Sequence, residues 1–190
     1  MRIGLLGGSF NPAHVGHRHI IAVARRRLQL DQVWLLVSPG NPLKTQCSMA
    51  PFDQRLASTR SIADGRHVIA SGIEAIWGTR YTIDTLRLLL RRFPRVRFVW
   101  LTGADILLQL PRWRRWVEFV RRVPIAVLPR PGYNHRALAS QTVHRFSTAR
   151  RPMRLATRLA EVKAPAWAFL NVPQHPASAS AIRASIGAEP

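Results

Sequence analysis

Short apolar runs alternate with longer amphipathic stretches along the chain. Arg2 to Leu6 is apolar and ends in Gly-Gly, which predicts a buried strand. Residues 15–29 place Ile20, Ile21, Val23, Ala24 and Leu28 on one side of a helix. Val33 to Val37 is a second buried strand, and residues 39–51, with three prolines and a glycine, form a long loop. A helix over 52–63 and a short strand over 67–71 follow. A helix over 82–93 is stopped by Pro94. Val96 to Leu101 is a strongly apolar strand, 113–122 is helical, and Ile125 to Leu128 is a strand closed by Pro129. Residues 134–164 are polar, Arg-rich and without a clear period. Trp167 to Val172 predicts a last strand and Ser180 to Ile186 a last short helix. Strands without polar alternation are covered on both faces, which requires helices on both sides of a mostly parallel sheet. The expected fold is α/β, doubly wound, with ligands at the carboxyl ends of the strands near the switch in strand order. No repeat or linker interrupts the pattern, so one domain over 1–190 is expected.

Composition narrows the classes. The chain has 190 residues, 47% of them hydrophobic, which suffices for a sizeable core and argues against disorder. No apolar stretch reaches the roughly 18 residues that a membrane span needs. The start, MRIGLLGGSFNPAHVGH, lacks the apolar core of a signal peptide, so a cytoplasmic protein is expected. Cys47 is the one cysteine, which excludes an internal disulfide and a four-cysteine zinc site.

Charge is the unusual feature: 29 basic residues against 9 acidic give +20. All but Lys44 and Lys163 of the basic residues are arginine. Such a balance suits a nucleic-acid partner. The arginines, however, fall in short groups spread along the chain, as solvated helical faces would place them. Aromatic residues are not interleaved with them as on a base-stacking surface. The scarcity of carboxylates counts against glycoside hydrolysis and two-metal phosphoryl chemistry.

The first loop carries the most chemistry. Gly7-Gly8-Ser9-Phe10-Asn11-Pro12-Ala13-His14-Val15-Gly16-His17 joins the first strand to the first helix. Glycines after a strand let the backbone approach a ligand, and the helix N-terminus that follows offers unpaired N–H groups to an anion. His14 and His17, three apart, share one face of the first turn and could hold phosphate oxygens. A Gly-Gly turn alone is ordinary strand-to-helix geometry. No third ligand at a suitable spacing supports zinc, and the loop is neither a Walker A motif nor a GxGxxG fingerprint.

Gly-Ser-Phe-Asn-Pro-x-His-x-Gly-His resembles the (T/S)FxPxHxGH motif of the nucleotidyltransferase α/β-phosphodiesterase superfamily, whose fold is Rossmann-like. Ser178-Ala179-Ser180-Ala181-Ile182-Arg183 is similar to that superfamily's SxTxIR segment, with Ser180 at the usual threonine. Four further segments resemble bacterial nicotinate-nucleotide adenylyltransferases: Gly78 to Leu86, Gly103-Ala104-Asp105, Pro111-Arg112-Trp113, and Val127 to Tyr133. The resemblance runs from residue 1 to about 187. It implies transfer of the AMP part of ATP to nicotinate mononucleotide (NaMN), giving deamido-NAD and pyrophosphate with Mg²⁺ as helper.

The attacking phosphate in that reaction is already anionic and needs no carboxylate base; positioning and electrostatics carry the step. The resemblance implies catalytic roles for His14, His17, Lys44 and Arg183. It implies ATP contacts from Gly8, Ser9, Phe10, His17, Gly103, Asp105, Ser178, Ser180 and Arg183. For NaMN it implies a ring stack on Trp113 with Tyr81 nearby, ribose contacts from Asp105, and a contact from Arg130. Thr82 and the N–H groups of Ile83 and Arg114 would read the nicotinate carboxylate. No metal-ligand set is expected from the protein, nor a membrane or a specific nucleic-acid partner, and the oligomeric state is open. Two departures stand out: Pro42-Leu43-Lys44 replaces the family's Pro-His-Lys or Pro-His-Arg, and the sequence stops at Gly187-Ala188-Glu189-Pro190, where members usually continue, so it is either naturally short or shortened. The competing readings are a related adenylyl- or cytidylyltransferase with another acceptor such as phosphopantetheine, and a basic nucleic-acid-binding protein.

Overall fold

In the computed structural model, residues 1–40, 49–175, 177, 179, 182 and 183 are described. Six strands form one sheet in the order β3-β2-β1-β4-β5-β6. They are β1 (Arg2–Gly8), β2 (Gln32–Val37), β3 (Val68–Ser71), β4 (Arg97–Gly103), β5 (Ile125–Leu128) and β6 (Trp167–Phe169), and every pairing is parallel. The order runs outward from β1 in one direction and then from β4 in the other. The crevice between the carboxyl ends of β1 and β4 is therefore the topological switch point, where ligands of such sheets bind.

Alternation along each strand feeds two cores. Leu6, Val99, Leu101, Ala126 and Leu128 face the layer of α1 (Val15–Leu28), α2 (Phe52–Arg60) and a 3₁₀ segment, Met153–Glu161. Ile3, Leu5, Phe98, Trp100, Ile125 and Val127 face the other layer. That layer contains α4 (Thr82–Arg92), α5 (Ala104–Gln109), α6 (Trp116–Arg122) and α7 (Asn134–Leu138), with α8 (Gln141–Arg145) beside α5. A short α3 (Ile73–Ile76) sits beside β2.

The structure adds to the sequence reading in three places. Residues 104–109 and 73–76 are helical, and both segments are too short to show a period. The helix expected over 113–122 begins only at Trp116, because Arg115 takes a left-handed conformation (φ 53°). The unassigned stretch 134–164 folds as short α and 3₁₀ turns.

Strand β1 tolerates almost no side-chain volume at its glycines. A Cβ on Gly7 would lie 2.9 Å from the Trp100 ring, which packs edge-on against Phe119 and Trp113 and has no room to retreat. Gly7→Ala is expected to destabilise the protein by about 1–3 kcal/mol through overpacking. Thermal unfolding checks this, and an unchanged midpoint refutes it.

Candidate active site

Strand β1 delivers Gly8 to the switch point, where its carbonyl accepts from Ser38 N–H at the end of β2 (3.0 Å). The chain then crosses into α1 through Ser9 to His14, with Phe10 buried and left-handed (φ 46°). A non-glycine residue holds that region only when its surroundings impose it.

Helix α1 has no Ser, Thr, Asp or Asn at its start. His14 is the N-cap, and its Nδ1 accepts from Gly16 N–H (3.1 Å). His17, three residues on, accepts from His14 N–H at its own Nδ1 (3.2 Å). The pair is a capping box built of imidazoles. This fixes their chemistry. With Nδ1 an acceptor on each ring, a neutral imidazole carries its proton on Nε2, so both rings present an Nε2–H donor. The rings lie 3.9 Å apart, and His17 also packs against Phe10 (4.9 Å). Burial holds the pKa of His17 down to about 3, helped by the charges of His14 and Arg130. His14 is lowered as well, by burial first, then by Arg130 and His175.

Across the crevice, β4 ends at Gly103 and α5 begins at once. Asp105 sits in the first turn, yet Gly103 is the N-cap and no side-chain cap bond forms, so the carboxylate is not a helix cap. Its Oδ2 lies 3.4 Å from Arg130 Nη1. Its Oδ1 is buried and has no hydrogen-bond partner among the described residues. A buried acceptor without a donor is costly, and this one is packed against Gly103, where a Cβ would stand 2.5 Å from it.

A third wall joins two stretches distant in sequence. Tyr81 is the N-cap of α4, and Thr82 and Ile83 are its first residues, so their N–H groups are among the orphan donors of that helix end. The Arg114 guanidinium lies 4.7 Å over the Tyr81 ring, bringing residues 113–114 to the same place. Trp113 is half-buried, its ring edge-on to Trp100 (6.4 Å) and tilted against Phe119 (5.6 Å). The turn before Tyr81 is tied from below: Thr79 and Thr85 hydroxyls are 2.8 Å apart, and Thr85 Oγ1 donates to Glu74 Oε1 (3.1 Å). Burial raises the Glu74 carboxyl to about 7, although the Thr85 bond opposes this. Trp116 packs edge-on against Phe146 (5.9 Å), a core role.

Arg183 reaches back to the first loop, its Nη1 donating to the Asn11 carbonyl (2.6 Å). Lys44, Ser178 and Ser180 lie outside the described residues. Two residues near the site were not found from the sequence. His175 lies close enough to His14 to depress its pKa, and its Nδ1 accepts from Ala177 N–H (3.1 Å). A lone histidine ahead of a proline carries no signal of this. Arg55 is buried behind the first loop. A signal existed for it, because Phe52, Leu56 and Thr59 mark the inner face of α2 and Arg55 falls on that face.

Parallel sheet, switch-point crevice and imidazole-capped helix together define a Rossmann-like nucleotidyltransferase. Residues 5–185 match the cytidylyltransferase-like family. A protein of Gluconobacter oxydans called "Probable nicotinate-nucleotide adenylyltransferase" is 56% identical over 97% of this chain and 95% of its own length. One of the same name from Gluconacetobacter diazotrophicus is 55% identical over 97% of this chain and 86% of its own. The fold matches the nicotinic acid mononucleotide adenylyltransferase of Plasmodium falciparum complexed with NaAD, with a TM-score of 0.71 at 16% identity, over 96% of this chain and 82% of that one. The chain belongs to the nicotinate-nucleotide adenylyltransferase family.

Proposed function

We propose that the chain acts as one nucleotidyltransferase domain whose switch-point crevice joins NaMN to the adenylyl part of ATP. An oxygen of the NaMN phosphate attacks the α-phosphorus, the bond to the β-phosphate oxygen breaks, and deamido-NAD and pyrophosphate leave. The observation that carries this reading is the imidazole capping box. It leaves two neutral rings at a helix N-terminus whose Nε2–H donors meet no acceptor among the described residues and would receive phosphate oxygens. Neutral donors suit this step, since they bind the α-phosphate and the charge that develops on it without needing to gain or lose a proton.

The remaining roles are those the family resemblance implies. Gly8, Ser9 and Phe10 would line the ATP phosphates, with Arg183 beside that loop, and the resemblance assigns Ser178, Ser180 and Lys44 to the same phosphates. Asp105, whose side chain keeps some exposed surface beside Arg130, would take ribose hydroxyls, with Gly103 giving close approach. Trp113 would stack the pyridine ring beside Tyr81. The N–H groups of Thr82, Ile83 and Arg114 would receive its carboxylate, and Arg130 would draw the NaMN phosphate. Among the described residues no three His, Cys, Asp or Glu side chains are grouped to cage a metal. Mg²⁺ would enter with ATP, bound by its phosphates as part of the substrate.

The test compares pyrophosphate release from ATP with NaMN, nicotinamide mononucleotide and phosphopantetheine as acceptors. NaMN is expected to give the highest kcat/KM. A higher value with phosphopantetheine overturns the assignment.

A further inference from the structure

Arg55 is 2% exposed, and its charge meets no carboxylate among the described residues. Its guanidinium is satisfied by four carbonyls instead. Nη1 donates to Ser9 O (2.7 Å) and Ser38 O (2.7 Å), Nη2 to Pro39 O (3.1 Å), and Nε to Ala50 O (2.9 Å). Burial lowers its pKa, but a guanidinium keeps its proton in proteins, so the charge stays. These carbonyls belong to three separate segments: the loop after β1, the residues after β2, and the residue two before α2.

The contact with Ser9 has a consequence for the phosphate loop. A trans peptide is planar, with its C=O and N–H pointing in opposite directions. Holding Ser9 C=O on a buried guanidinium turns the N–H of Phe10, which shares that peptide, away from the α2 side. Among the described residues no acceptor engages this N–H. Phe10 also stands at φ 46°, which L side chains rarely adopt, so the peptide orientation needs a restraint. The Ser9–Phe10 peptide is therefore held from behind, with its N–H directed away from the guanidinium.

We infer that Arg55 is a positioning residue: it locks the Ser9–Phe10 peptide so that Phe10 N–H faces an anionic oxygen of the ATP triphosphate. The inference rests on the reading that this loop lines ATP rather than NaMN. Without the guanidinium, the peptide rotates, Phe10 relaxes to negative φ, and the donor swings out of the crevice.

The test is steady-state kinetics of Arg55→Lys and Arg55→Gln, run well below the unfolding temperature of each. The expected result is a KM for ATP raised about tenfold or more, the effect of one lost charge-assisted hydrogen bond. KM for NaMN is expected to stay within about twofold, since none of its proposed contacts is altered. Unchanged KM for ATP in a folded variant overturns the inference while leaving wild-type turnover of NaMN, and hence the assigned reaction, intact. Equal loss for both substrates marks Arg55 as a structural clamp only and also overturns it. A rise confined to KM for NaMN overturns the reading of which substrate the loop receives. If neither variant folds, the wild-type protein decides: on titration of ¹⁵N-labelled protein with inorganic tripolyphosphate, the Phe10 amide proton is expected to move downfield. A stationary Phe10 resonance overturns the inference.

Discussion

His17→Ala is expected to lower kcat by about 10²–10³-fold, the usual cost of removing one preorganised donor from a site of developing charge. The tautomer of the ring sets this expectation. His14 N–H occupies Nδ1 of His17, leaving Nε2–H as the one group the ring can offer. Alanine also removes that cap bond, which costs about 0.5–2 kcal/mol of stability. His17→Gln separates the two effects, because glutamine at this position of a helix accepts the same backbone N–H. Gln is expected to restore the unfolding temperature without restoring turnover. Near-normal turnover in His17→Ala, or full recovery in His17→Gln, refutes the role. The ring's pKa of about 3 adds a pH signature. Wild-type kcat should show no step from His17 between pH 5 and 8, since the ring stays neutral throughout. Stability behaves differently. Below its ordinary pKa near 6.5 the unfolded chain binds a proton at His17 and the folded chain does not, so this contribution is complete above pH 6.5 and is lost as pH falls toward 3. Denaturant titrations of wild type and His17→Gln across that range measure the difference.

Asp105→Asn is expected to cost about 10–100-fold in kcat/KM, mostly through KM, the effect of losing a charged acceptor to bound hydroxyls. Its effect on stability should be small. The pair with Arg130 spans 3.4 Å, and the Arg130 side chain is 47% exposed; pairs of that kind contribute about 1 kcal/mol or less. The buried Oδ1 has no donor to lose among the described residues. Kinetics and thermal unfolding of the same variant therefore diverge: activity falls while the midpoint hardly moves. A fall in the midpoint with unchanged KM makes Asp105 a structural residue and removes it from the site.

The strands of this sheet were legible because each is a compact apolar run bounded by glycine or proline, and a doubly covered sheet leaves that mark. Strand order was not. Nothing local in Val96 to Leu101 says that it lies beside β1 rather than at an edge; crossover handedness and packing decide it. The stretch 134–161 was opaque because its helical turns of three to nine residues are too short or too tightly wound to show an α-helical period. In the site, the first loop stood out as a motif, and the resemblance supplied roles that spacing alone could not. The tautomers of His14 and His17 were out of reach, since they depend on which backbone N–H meets which nitrogen. Arg55 was hidden by composition. Among so many arginines, one more reads as a solvated cation unless its place on the inner face of α2 is weighed.

The imidazole capping box also limits how this protein can be made hardier. Replacing an unusual N-cap by Asp, Asn or Ser is a standard route to a more stable helix, and position 14 looks like an easy target. On the proposed mechanism the rings that close the helix end are also the donors offered to the nucleotide. An aspartate would set a negative charge where phosphates must dock, and a serine would remove the reach of the ring. Thermal hardening by selection or by design has to proceed through the sheet, the cores and the far ends of the helices. The first turn of α1 is expected to keep its two histidines even in variants that tolerate much higher temperature.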